Sequence, residues 1–331
     1  MKILINVAKG QVRERFFPDH VRAKIESAGE AVWNEFERGL TPEELRESLR
    51  GADAMLTAWG SPALTDFALE GADKLKLVAH TGGSVAGIMC GAAYDRGIKI
   101  SSANELYGES VAEACVAYFL AALRDAVRMD ARVRSGAWAV YGDKIDTLFG
   151  QTVGLVGLGT ISRKLIALLK PFRCRLKVAC DYAADEEISR LGAERATLEE
   201  VFSSCKIISV HLAQNPSTFR AISRGLLESM RDGTIFVNTS RGSCVDEEAL
   251  IEVLQKNPSL RAALDVFETE PLPLNHKLAA LGNAILSPHT AGLGVSLPSV
   301  TEKIFEDALG YLNGKPLRYE ITREHAAYMT R

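Results

Sequence analysis

TVGLVGLGTIS, residues 152–162, is the stretch that decides the fold. Its apolar half reads as a buried strand, and Gly157-Leu158-Gly159-Thr160-Ile161-Ser162 then turns the chain into a helix. Gly157 permits a tight turn, and Gly159 lets backbone approach a pyrophosphate placed at the helix N-terminus. Ser162 stands where the pattern has a third glycine, a position that mainly serves packing of helix on strand. LKVACD (176–181) reads as the next strand, and it ends in Asp181, where an acid can accept from a ribose hydroxyl. A carboxylate at that place repels a 2′-phosphate, so NAD is expected rather than NADP.

The same alternation continues in both directions. Downstream, KIISVHL (206–212), TIFVNTS (234–240), AALDVF (262–267) and AILSPH (284–289) read as strands, with helix starts at the Thr197/Glu200 capping box and at Asp246. Upstream, the expected strands are ILINVA (3–8), AMLTAW (54–59), LKLVAH (75–80) and IKIS (98–101). Helical sequence lies between them, from Asp19 to Gly29, from the Thr41/Glu44 capping box to Gly51, and over about 85–95. Strand–helix alternation predicts an α/β fold with parallel sheets, and 331 residues are too many for one core. From Glu109 to Trp138 the sequence reads as one long helix, roughly 40 Å at ~1.5 Å per residue. Its apolar character is broad, which suits either an internal core helix or a subunit interface. After Gly292 a further helix carries Val300, Ile304, Ala308 and Leu312 on one stripe.

Composition narrows the class. With 47% hydrophobic residues, 24% charged residues and a net charge of −3, nothing points to nucleic acid or an acidic membrane as partner. No apolar run is read as approaching the ~20 residues that span a bilayer, and MKILINVAKG lacks the features of a signal peptide. A cytoplasmic protein is expected. The six cysteines, at 90, 115, 174, 180, 205 and 244, show no metal-binding spacing, so they read as buried thiols and no metal is expected.

Three further runs, NTSRG (238–242), LDVFETEP (264–271) and LSPHTAG (286–292), place functional groups at the ends of apolar strands. Open α/β sheets put their chemistry there. An arginine, carboxylates and a histidine are also the parts needed to reduce a 2-oxo acid. Arg241 suits bidentate binding of a carboxylate and can polarise a carbonyl oxygen. His289 suits proton transfer, and Glu270 can hold its imidazole and favour the charged form. Asp265 can bind a nicotinamide amide or support this network. The plainer readings are a helix cap or an Asp246 pair for Arg241, a loop histidine for His289 and a surface acid for Glu270. His211 reads as a cofactor neighbour or a structural residue.

VGLVGLGTIS, the acid at Asp181, SVHLAQNPST, NTSRGSCVDEEAL, LDVFETEPLP and LSPHTAG together resemble the D-isomer-specific 2-hydroxyacid dehydrogenases, the family of glyoxylate and hydroxypyruvate reductases and phosphoglycerate dehydrogenases. The resemblance covers nearly the whole chain, and SVAEACVAYFLAAL (110–123) resembles the family's interdomain and dimer helix. It implies two Rossmann-like and flavodoxin-like domains. Residues 103–294 would form the NAD-binding domain, inserted into a discontinuous substrate domain of residues 1–102 and 295–331. It also implies Arg241 as carboxylate binder, Glu270 and His289 as the acid/base pair, and substrate contacts from the backbone around Gly83 and Ser84. Cofactor contacts are expected from Gly157, Gly159, Thr160, Ile161, Asp181, His211, Thr239 and Asp265. A homodimer is expected.

The chain departs from the family pattern at several places. Ala213 replaces a proline, and Ser84 and Ala86 replace a glycine and an aspartate. Trp59 stands where phosphoglycerate dehydrogenases carry an arginine directed at substrate. A tryptophan cannot pair with a phosphate but can wall an apolar pocket. These features favour an NAD-dependent reductase of small 2-oxo acids, of the glyoxylate or hydroxypyruvate type. The alternatives are a short phosphoglycerate dehydrogenase and, from a different class, a corepressor-like protein that binds NAD(H) as a sensor without turnover.

Overall fold

The computed structural model describes residues 1–138 and 145–330. The chain forms two compact units, Met1–Tyr107 with Val295–Arg331 and Gly108–Gly294. The first break falls inside the helix Asn104–Leu123 rather than before it, because Leu106 and Tyr107 pack into the core of the first unit.

In the first unit five parallel strands, β1 (Lys2–Ile5), β2 (Glu30–Trp33), β3 (Ala54–Thr57), β4 (Leu77–His80) and β5 (Lys99–Ser102), lie in the order β2-β1-β3-β4-β5. The inner strands are apolar on both faces, as parallel strands covered by helices must be. Ile3, Ile5 and Leu56 pack toward Phe16, Ile304 and Phe305, while Leu4, Met55 and Val78 pack toward Leu45, Leu49 and Ile100. The helix Pro42–Ser48 starts at Thr41 with both arms of the capping box made. The helix Leu297–Leu312 buries Val300, Ile304 and Ala308 against this sheet. Strand β2 is not expected from the sequence. It is an edge strand whose side chains are at most half-buried, and its apolar run, Ala31-Val32-Trp33, is only three residues long.

These strands end in polar residues that stay buried. Thr57, His80 and Ser102 lie side by side in register, and Asn6 and Asn34 follow the last residues of β1 and β2. All five are buried. His80 Nδ1 and Thr57 Oγ1 are hydrogen-bonded at 3.0 Å.

In the second unit the strands are β6 (Thr152–Val156), β7 (Arg175–Ala179), β8 (Glu194–Arg195), β9 (Ile207–Val210), β10 (Ile235–Asn238), β11 (Arg261–Leu264) and β12 (Ala284–Leu286). They are parallel and run β12-β11-β10-β9-β6-β7-β8. The direction of winding reverses between β6 and β9, the place where doubly wound sheets open a crevice at their carboxyl ends. The expected continuous helix from Glu109 to Trp138 is instead two helices, Asn104–Leu123 and Ala126–Arg134. Asp125 breaks it by adopting a left-handed backbone (φ +52°). Its carboxylate binds Arg128, and Arg261 lies 3.5 Å away.

The first of these helices does reach the length and apolarity of a membrane-crossing segment, contrary to the expectation from apolar runs. In the structure it is a core helix of this unit. Ala112, Cys115 and Phe119 are fully buried with Val153, Leu155 and Leu165. All six cysteines are free thiols, and Cys115, Cys180, Cys205 and Cys244 are buried.

Burial lowers the pKa of His80 from 6.5 to about 4. The unfolded chain therefore takes up this proton first, and stability falls as the pH drops from about 6.5 to about 4. In His80→Gln that loss should shrink by about 3 kcal/mol, read from urea unfolding at pH 7 and pH 4. An unchanged pH dependence would mean that His80 is not buried as a neutral ring.

Candidate active site

The glycine-rich turn at the end of β6 is shaped by close approach. Gly157 has φ +93°, and a Cβ there would stand 2.8 Å from the carbonyl oxygen of His211. Only glycine fits both the conformation and the space. Ser162 is fully buried and its Oγ donates to the Gly157 carbonyl at 2.8 Å, so the serine braces the turn where the common pattern has glycine. Gly159 is the N-cap of the helix Thr160–Leu169, with no side chain capping it and open space where its Cβ would be. A bare helix N-terminus reached through glycine suits the diphosphate of a dinucleotide.

Thr160 opens that helix and Ile161 packs against the core of the unit. Asp181 is exposed just beyond β7, where it is free to take ribose hydroxyls. His211 lies half-buried beyond β9, with its Nδ1 shielded from solvent. Its Nε2 pairs with Ser209 Oγ at 2.9 Å, its Nδ1 has no protein partner among the described residues, and burial lowers its pKa to about 4. Thr239 Oγ1 lies 3.3 Å from Cys115 Sγ and is buried. These residues fit an NAD-type dinucleotide. Among the described residues no group of three or more His, Cys, Asp or Glu is placed to hold a metal ion.

Arg241, Asp265 with Glu270, and His289 follow three adjacent strands, β10, β11 and β12, at one edge of the sheet. The Arg241 turn is held by Asn238, whose Nδ2 donates to the Arg241 carbonyl at 3.0 Å and whose Oδ1 accepts from the Ser240 amide and hydroxyl. One guanidinium nitrogen of Arg241 donates to the Ser240 carbonyl at 2.7 Å. Burial pulls the Arg241 pKa down, and the nearby Glu270 carboxylate opposes that pull. The remaining donors of this half-buried fork meet no acceptor among the described residues, which leaves them for an anion.

His289 Nδ1–H donates to Glu270 Oε2 at 2.7 Å, and Glu270 Oε1 accepts from the Phe267 amide at 3.0 Å. With Nδ1 committed to Glu270, Nε2 is the ring nitrogen left open. The His289 side chain keeps 46% of its exposure, so that atom is reachable. Its backbone is left-handed, φ +54°, a conformation that costs a non-glycine residue about 1–3 kcal/mol. Asp265 supplies the compensation. Its carboxylate is 1% exposed and accepts from the Thr290 and Ala291 amides at 2.9 Å each, while its carbonyl accepts from the His289 amide at 2.8 Å.

In the first unit, the turn after β4 has its carbonyls tied back. Tyr107 Oη–H donates to the Thr81 carbonyl at 3.1 Å, the Ala103 amide to Gly82 at 3.0 Å, and Ser102 Oγ–H to Gly83 at 2.8 Å. The amides of Gly83 and Ser84 have no acceptor among the described residues. A Cβ on Gly82 would meet His80 Nε2 at 2.3 Å, so this turn also needs glycine. Ser84 Oγ–H donates to the Thr330 carbonyl. Trp59 is 37% exposed, with its ring edge-on to Phe16 at 4.8 Å and tilted against Tyr107 at 6.1 Å.

Three contributors are not picked out by the sequence. Tyr182 Oη accepts from the Leu158 amide in the glycine-rich turn at 3.0 Å. Tyr118 and Ser287 reach the Asp265 carboxylate. Tyr182 comes directly after Asp181, and Ser287 lies inside LSPHTAG, so both have a neighbouring signal. Tyr118 lies inside SVAEACVAYFLAAL, but nothing local pairs it with Asp265, which it meets from 147 residues away.

Residues 116–291 match the model of the D-isomer specific 2-hydroxyacid dehydrogenase NAD-binding domain. A D-3-phosphoglycerate dehydrogenase from Methanocaldococcus jannaschii is 34% identical over 268 residues. That match covers 80% of this chain, but the chain spans only 50% of that relative's length. A hydroxypyruvate reductase from Thermotoga maritima is 31% identical over 278 residues, covering 81% of this chain and 89% of its own. Among solved structures, a phosphoglycerate oxidoreductase from Rhizobium etli superposes with a TM-score of 0.81 at 25% identity, covering 97% of this chain and 98% of its own. The chain belongs to the D-isomer-specific 2-hydroxyacid dehydrogenase family, whose cofactor is NAD.

Proposed function

We propose that this protein is an NAD-dependent reductase of small 2-oxo acids, acting on glyoxylate or hydroxypyruvate, with His289 as its acid/base. The observation that carries the reading is the 2.7 Å bond from His289 Nδ1–H to Glu270, on the strand end next to that of Arg241. NADH, when bound, supplies the hydride. Arg241 holds the substrate carboxylate through its free N–H fork and draws charge onto the carbonyl oxygen as reduction proceeds. His289 gives that oxygen the proton on Nε2, and Glu270 stabilises the imidazolium before transfer. In the reverse direction Nε2 takes the hydroxyl proton.

The amides of Gly83 and Ser84 suit a carboxylate, since their carbonyls are turned away and bonded elsewhere. Trp59 favours a small unphosphorylated acid, because its half-exposed ring offers apolar surface where a phosphate would need a cation. The hydroxypyruvate reductase that matches over nearly its own length supports the same substrate class. Phosphoglycerate oxidation is the second reading, favoured by the 34% identity to the archaeal enzyme. A homodimer in the cytoplasm completes the proposal, supported by the resemblance of residues 110–123 to the family's dimer helix.

Three outcomes are expected. In NADH-oxidation assays over glyoxylate, hydroxypyruvate, pyruvate, phenylpyruvate and 3-phosphohydroxypyruvate, the small unphosphorylated acids turn over fastest. A clear preference for the phosphorylated acid would overturn the reading of Trp59. His289→Ala loses roughly 10³-fold in kcat while NADH affinity, read by fluorescence titration, stays within about twofold. Retained turnover would remove His289 from the chemistry. Asp181→Ala narrows the preference for NADH over NADPH by roughly 10-fold or more, as loss of one charge–charge repulsion requires. A ratio that does not move would show that Asp181 does not face the ribose.

A further inference from the structure

We propose that Tyr118 and Ser287 are positioning residues for the acid/base histidine, acting through the Asp265 carboxylate, an inference that rests on the role given to His289 above. Tyr118 lies on the helix Asn104–Leu123, and its hydroxyl donates to Asp265 Oδ1 at 3.2 Å. The Ser287 hydroxyl donates to the same oxygen and accepts from Tyr118 at 2.6 Å, so the tyrosine proton is shared between Ser287 and the carboxylate. Both act on the carboxylate rather than on the imidazole.

The carboxylate they hold organises the segment that carries the histidine. Oδ1 also accepts from the Thr290 amide, and Oδ2 accepts from the Ala291 amide, each at 2.9 Å. These two bonds fix the residues just after His289, and the Asp265 carbonyl fixes the His289 amide itself. A left-handed histidine survives only where its surroundings over-determine it. Rotation of the carboxylate would release both amides together, so the hydroxyls that stop it rotating set where His289 Nε2 lies.

Burial supports this arrangement. Asp265 is 1% exposed, so water cannot replace a lost donor at no cost. Burial also pushes the Tyr118 phenol up, which keeps it protonated and able to donate. One helical turn earlier, Cys115 meets Thr239 in the segment that leads to Arg241. One face of one helix thus supports the loops after two of the three functional strands.

The test compares Tyr118→Phe, Ser287→Ala, Ser287→Thr and the Phe/Ala double variant with the unaltered protein. Readouts are kcat, KM for glyoxylate and hydroxypyruvate, NADH affinity by fluorescence, thermal stability, and the rate at which diethyl pyrocarbonate modifies His289, mapped by peptide mass. Tyr118→Phe and Ser287→Ala should each lower kcat about tenfold, with KM and NADH affinity within about twofold. The primary isotope effect with NADH deuterated at the transferred position should rise in both. Ser287→Thr should restore kcat, and the double variant should lose less than the product of the two, since both act on one carboxylate. His289 modification should quicken in Tyr118→Phe. Unchanged kcat together with unchanged His289 modification would overturn the proposal, as would losses that track thermal stability or NADH affinity. An unaltered protein that binds NADH but reduces no acid would sink the function above, while the modification rates would still decide the positioning role.

Discussion

A carboxylate buried to 1% exposure has to be surrounded by donors, and at Asp265 that requirement shapes the neighbouring loop. Its oxygens collect hydroxyls from Tyr118 and Ser287 and amides from Thr290 and Ala291. Meeting the electrostatic need of one strand-end acid therefore fixes the course of the next strand's exit. The His289 loop is held where it is because a buried charge needs its amides. Glu270 then has only to meet an imidazole whose backbone is already placed.

The same principle operates wherever these parallel strands stop. Strands covered on both faces are apolar along their length, and their polar groups gather at the carboxyl edge. In the second unit that edge holds Arg241, Asp265 and His289 beyond neighbouring strands, with Gly157 and His211 on either side of the point where winding reverses. In the first unit it holds the buried row Asn34, Asn6, Thr57, His80 and Ser102. Both polar ends of the Asn6 side chain lack a protein partner among the described residues.

Much of this is legible because the periodicities are local. Apolar runs locate every described strand except the edge strand Glu30–Trp33, whose run is three residues long, and the two-residue Glu194–Arg195, which has none. The capping boxes at Thr41 and Thr197 and the N-cap at Asp246 form where their residue types require. Apolar spacing misleads at Asp125, since a left-handed residue held by Arg128 and Arg261 leaves that spacing almost intact while breaking the helix. Ser162 reads as a packing substitute for glycine, yet its hydroxyl finds the Gly157 carbonyl.

The sequence by itself determined the α/β class, the dinucleotide turn and which residue types stand at the strand ends. Those properties depend on neighbours within a few positions, through turn conformation, strand apolarity and helix capping. Only the tertiary structure decided how the groups are used. It turned Asp265 inward to hold a loop and brought Tyr118 to that carboxylate across 147 residues. Contacts of that kind arise from sheet order and from the donors a buried charge must find, and neither is written in local spacing.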